Sequence, residues 1–118
     1  MYNLSVYVPG THLDAVREAL FSAGAGAIGA YDRCCWVTEG TGQFRPLAGS
    51  DAFIGSVGED TFVREYKLEI TMEDSVLEKA VEALLKAHPY ETPAYGFYRF
   101  DPPFGVTIQS QSMRPAQN

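Results

Sequence analysis

The sequence predicts an α+β fold, with one antiparallel sheet carrying two helices on one face. Three observations predict it. Two stretches, 2–8 and 62–72, alternate apolar and polar residues with the period-two pattern of half-buried strands. Two others, ending near residues 22 and 87, repeat apolar residues at helical spacing. The order strand, helix, strand, strand, helix, strand makes two βαβ-type halves within 118 residues, enough for one domain and one core.

In "YNLSVYV" (2–8), Tyr2, Leu4, Val6 and Val8 share one face, and Asn3, Ser5 and Tyr7 the other. Pro9-Gly10 stops this strand. Thr11 is expected to cap the first helix, with Asp14 favouring its positive end. Leu13, Val16, Leu20 and Phe21 form the apolar stripe. Eight of the eleven glycines then fall between Gly24 and Gly58, so this centre is expected to be turn-rich. Inside it, 31–40 and 42–47 read as two short strands joined around Gly40-Thr41-Gly42, an extra β-hairpin, and 48–60 reads as loop. In "FVREYKLEITM" (62–72), Tyr66, Leu68, Ile70 and Met72 take one face, opposite Glu65, Lys67, Glu69 and Thr71. The second helix, 74–87, carries Val76, Leu77, Ala80, Val81, Leu84 and Leu85 as one stripe. Pro89 ends it at His88. "PAYGFYRF" (93–100) is the last strand, 106–110 adds a short one, and 111–118 is a tail beyond an ordered core of about 2–110. One antiparallel sheet with both helices on one face is the simplest packing of this order, the ferredoxin-like βαββαβ sandwich.

"GAGAIG" (24–29) spells the glycine fingerprint G-x-G-x-x-G of dinucleotide-binding proteins, but in the wrong context. That fingerprint needs a strand before it and a helix after it, so that a helix N-terminus meets the pyrophosphate. Here it follows a helix and precedes a strand. Gly24 suits a helix C-cap instead. The net charge of −6, with no run of Lys or Arg, argues against nucleic acid as a partner. No stretch of about 18 apolar residues occurs, so no membrane span is expected. The N-terminal segment has no basic head followed by an apolar stretch, so no signal peptide is expected and a cytoplasmic location follows. Cys34 and Cys35 are adjacent and read as reduced, packed thiols; neighbours on a strand point to opposite faces and do not share one metal.

Three stretches together, "GAGAIGAYDRCCWVTEGTGQFRP", "IGSVGE" and "HPYETPAY", resemble the CutA/YqfO-like domain, related in fold to PII signalling proteins. That domain sits as an insert within larger dinuclear-metal-centre proteins of the YqfO/YbgI type. The His88-Pro89-Tyr90-Glu91 element also resembles the corresponding stretch of CutA, the divalent-cation tolerance protein. The match covers roughly residues 2–100. It implies a PII/CutA-like fold and a homotrimer, here as the free-standing insert. It does not imply the larger proteins' metal chemistry, whose ligands lie in flanking segments. Thr92 and Gly96 depart from the insert's usual pattern, which weakens any charge-dependent role placed there.

Two candidate ligand sites stand out. His88 and Glu91, three apart around Pro89, are a start for a divalent metal ion; a histidine in the last turn of a helix, placed there by the carbonyl dipole, is the structural alternative. His12 joins them only if the fold brings it near. Gly40, Thr41 and Gly42 with Arg45 are the second site, either an anion nest or a hairpin turn whose arginine pairs with Glu39 or Glu59. No catalytic constellation is recognisable, so the chain is expected to be no enzyme. The last strand is aromatic on both faces and falls at a sheet edge, where pairing with sister copies would cover it. The expected function is a small oligomeric protein that binds or senses a metal ion, small ion or metabolite. The alternative is a hydrolase-associated protein or interaction module related to YqfO-type proteins.

Overall fold

In the computed structural model, which describes residues 1–101, the alternating stretch at the N-terminus is β1 (Tyr2–Pro9). A short 3-10 turn, Gly10–His12, leads into α1 (Leu13–Ser22). After a turn-rich segment come β2 (Trp36–Phe44), β3 (Thr61–Met72), α2 (Leu77–Ala87) and β4 (Tyr95–Arg99). The sheet order is β2-β3-β1-β4 with every pairing antiparallel, the ferredoxin-like arrangement the sequence predicts. No helix among the described residues is long and apolar enough to cross a membrane. The short strand expected at 106–110 and the tail at 111–118 lie outside the described residues.

The alternation sets the register. Val6 faces Leu68 and Leu4 faces Ile70, so both strands turn their apolar sets to the helices. Leu4, Val6, Val8, Leu68, Ile70 and Met72 pack with Val16 and Leu20 of α1 and Ala80 and Leu84 of α2, all at most 1% exposed. Burying each larger side chain contributes about 1.5–3 kcal/mol. Leu85 departs from the predicted stripe: it is 47% exposed. It lies beside Tyr95 and Phe97 in an open groove between α2 and β4.

The glycine cluster after α1 has a turn's reasons, not a nucleotide's. Gly24 takes φ +108°, its N–H bonds the Phe21 carbonyl and the Ala25 N–H bonds the Leu20 carbonyl. These are the paired bonds of a Schellman cap. Gly26 takes φ +89° and exchanges backbone bonds with Thr71 and Cys34, and an added Cβ would lie 2.8 Å from the Cys34 carbonyl oxygen. Arg33 then clamps this turn to α1, forked on Glu18 and stacked 4.7 Å over the Phe21 ring.

Two local expectations are corrected. Thr11 does not cap α1; its hydroxyl is 2.9 Å from His12 Nδ1, and the 3-10 turn makes His12 the N-cap residue. The two short strands expected at 31–40 and 42–47 are one strand, β2, which runs straight through Gly40-Thr41-Gly42. These three residues pair with Glu65, Arg64 and Val63. The hairpin in this region is the one β2 makes with β3 across the 45–60 loop, and its tip, 41–44 against 61–64, extends past the end of β1.

Candidate functional site

The turn between α2 and β4 is built around His88. Its backbone is extended (φ −76°, ψ 136°), as Pro89 requires, and the ring folds back beneath the end of β1. His88 is 6% exposed. Its Nε2–H donates to the Tyr7 carbonyl at 2.7 Å, and its Nδ1 accepts the Tyr90 N–H at 3.2 Å. Those two bonds fix the neutral Nε2–H tautomer. Burial holds its pKa below the ordinary 6.5, against the opposing pull of the Tyr7 carbonyl and the Glu65 charge.

Tyr90 is held at both ends. Its N–H is on His88, and its hydroxyl donates to Glu65 Oε2 at 2.8 Å. Burial, then the Glu65 carboxylate, push the phenol well above the usual tyrosine range, so it stays a donor. Glu91 reaches across to the 45–60 loop, where its Oε1 accepts the Asp51 N–H at 2.9 Å. Together these contacts frame a cleft of about 270 Å³ at the end of the sheet. Its walls include Tyr7, Phe44, Phe53, Tyr90, Glu65 and Glu91. Phe44 and Phe53 lean on Tyr90 with ring centroids 6.1 and 6.3 Å away, tilted by 53° and 46°. His12 reaches the same end, edge-on to Phe53 at 5.4 Å.

The structure divides the residues singled out from sequence. Glu91 lines the cleft and His88 supports it from beneath. Gly40, Thr41 and Gly42 line an adjoining groove with Glu39, Glu65 and Lys67. The nest arrangement is not formed, because extended residues paired in a ladder point successive N–H groups in opposite directions. Neither Gly40 nor Gly42 has positive φ. Gly42 has a different use: the Glu65 carboxylate lies where its side chain would be. Arg45 is exposed, and Glu39 pairs with Arg64 at 3.0 Å instead. Tyr90 belongs to the His-Pro-Tyr-Glu stretch, but Tyr7, Phe44, Phe53 and Glu65 were not picked out by sequence, since they come from four separate segments.

The described residues of one chain do not fit a resident divalent metal. Both His88 nitrogens are bonded, and no group of three or more His, Cys, Asp or Glu side chains converges among the described residues. Two carboxylates are too few for a stable site. Cys34 and Cys35 are unbridged; Cys35 packs on the core, and burial raises its thiol pKa.

No family model matches the chain. It is 49% identical over 98 residues to a "GTP cyclohydrolase 1 type 2 homolog" of Halalkalibacterium halodurans, an alignment covering 83% of this chain and 26% of that protein. The chain thus spans about a quarter of the length of this curated relative. Among solved structures, a Bacillus cereus protein related to NIF3 superposes with a TM-score of 0.73 at 40% identity, over 86% of this chain and 26% of that one. CutA1 from Pyrococcus horikoshii superposes with a TM-score of 0.62 at 15% identity, over 95% and 92% of the two chains, a likeness of fold alone. The chain therefore has the CutA-like fold and is homologous to one segment of these longer proteins.

Proposed function

We propose that this chain is a self-associating, PII/CutA-like binding module that holds a small ligand in the cleft framed by the His88–Glu91 turn and the 45–60 loop. The observation that carries the reading is the cleft itself. Strand residues form its floor, and hydrogen bonds to Glu65, His88 and Asp51 preset its walls. A site whose rings and carboxylates are already in place binds without the cost of ordering them. Binding and sensing, not turnover, is the role such an arrangement serves.

Self-association as a homotrimer belongs to the same proposal. Among the described residues the outer edge of β4 has no strand partner, and Phe97 and Tyr98 are 47% and 60% exposed beside it. An apolar edge of this kind favours pairing with another copy, and a closed ring leaves no edge over. Light scattering on a sizing column tests it: three chains per particle is expected, and a monomer at micromolar concentration overturns it. A thermal-shift screen of small molecules tests the cleft: a ligand whose stabilisation disappears in Phe44→Ala is expected.

A second reading rests on the quarter-length similarity. The chain would act as an interaction module alongside longer hydrolase-like proteins. Co-purification of the chain with such a protein at fixed stoichiometry, unaffected by changes in the cleft, would favour that reading over the first.

A further inference from the structure

We propose that the cleft selects an organic cation, an ammonium or guanidinium group on an apolar body, with Glu65 and Glu91 taking the charge and Phe44, Phe53 and Tyr90 taking the body. The inference rests on the binding role proposed above and narrows it to a class of ligand.

Charge argues first. Glu65 uses Oε2 for the Tyr90 hydroxyl and Glu91 uses Oε1 for the Asp51 N–H, which leaves one oxygen of each carboxylate without a hydrogen-bond donor among the described residues. Among the described residues neither carboxylate has a Lys, Arg or His nitrogen within 4.0 Å. Arg45, the cation nearest in sequence to Phe44, is exposed and is not part of the cleft wall. Two anchored carboxylates with no counter-cation repel an anion and attract a cation.

The walls argue next. Phe44 and Phe53, tilted against Tyr90, do not form a closed stack with it, and a ring face attracts a cation. About 270 Å³ is just under the lower end of the roughly 300–1,000 Å³ range of small-molecule sites, which suits a metabolite-sized amine. Gly42 supports the assignment independently. Any side chain there would displace the Glu65 carboxylate, so the bare backbone of β2 is what lets that carboxylate lie along the cleft.

The probe is benzamidinium, with benzoate and benzyl alcohol as the anionic and neutral controls of similar size, titrated against the full chain and read by the aromatic NMR signals of Phe44, Phe53 and Tyr90. Saturable shifts with benzamidinium, weaker ones with benzyl alcohol and none with benzoate are expected. Glu65→Gln and Glu91→Gln, which keep size and hydrogen bonding, should each weaken benzamidinium roughly tenfold, the scale of one charge-assisted bond. If the controls bind as well as benzamidinium, or if both glutamine variants bind it unchanged, the cleft takes ligands without regard to charge; the cation assignment is then wrong and the binding role stands. If a broad fragment set moves none of the three rings, both fall. If addition of benzamidinium instead splits the oligomer, the cation it displaces is a side chain of a second copy.

Discussion

The two halves of β3 are built differently. From Glu65 to Met72 the strand lies inside the sheet, with β1 on one side and β2 along part of the other. Leu68, Ile70 and Met72 are closed under the helices. From Thr61 to Arg64 it has β2 alone, and Phe62 is 64% exposed. The first region is held by apolar burial, which is additive and indifferent to direction. The second is held by its ladder with β2, and the cleft beside it by a few directed polar contacts, the bonds of Tyr90 to Glu65, Tyr90 to His88 and Asp51 to Glu91. Damage should therefore register as lost stability in one region and as lost binding in the other.

Truncation is the strongest way to break this contrast. Leu68→Ala removes a fully buried side chain from the centre of the core and should cost about 2–5 kcal/mol in urea denaturation. Phe62→Ala removes a larger ring and should cost less than about 1 kcal/mol, because most of that ring already meets water. Equal losses would mean that the exposed tip is part of the cooperative core.

Glycines sharpen it further. Gly26→Ala must take a positive φ with its new carbon against the Cys34 backbone, and should lose about 2 kcal/mol or more. Gly40→Ala meets nothing within 4 Å and has no positive φ, so the melting temperature should hold or rise slightly, within about 0.5 kcal/mol. A large loss at Gly40 would restore the turn that the sequence suggested there.

That mistaken turn shows where sequence patterns carry structural information. The strands at 2–8 and 62–72 and the two helices were legible because each writes its own period. β2 was not, because Gly-Thr-Gly is a local turn signal, and what keeps it extended is pairing with residues 63–65 beyond a long loop. The Thr11 cap failed similarly, since the 3-10 turn after Pro9 moves the first helical residue along by one and spends the hydroxyl on His12. In the cleft, only Glu91 and the supporting His88 stood out beforehand, through the His-Pro-Tyr-Glu stretch. Phe44, Phe53, Glu65 and Tyr7 have no spacing that relates them; the sheet order and the 45–60 loop bring them together.

Tyr90→Phe tests the directed contacts directly. It keeps the ring and removes one hydrogen bond to a carboxylate, worth about 1.5 kcal/mol at this partly buried position. Glu65 then loses its tether over Gly42, so benzamidinium affinity should fall along with stability. Unchanged affinity would mean that the carboxylate is positioned by the strand alone.

Acid provides the gentlest test, read at the His88 ring. The folded-state pKa of His88 is lowered below 6.5, so above that value the ring is neutral in both folded and unfolded chains and contributes no pH dependence. As pH falls below 6.5 the unfolded chain takes the proton first, and stability drops by at most about 1.4 kcal/mol per pH unit until the folded pKa is passed. Protonation puts an N–H on Nδ1, where it confronts the Tyr90 N–H, while Glu65 favours the charged ring and His12 opposes it. The turn should thus loosen before the core does. As pH falls through the lowered folded-state pKa of His88, the Tyr90 and Phe44 NMR signals should move while the Leu68 methyls stay in place, and His88→Asn should flatten the stability slope below pH 6.5. If the slope survives in His88→Asn, or the core methyls shift together with Tyr90, the two regions are one cooperative unit and the cleft has no separate control.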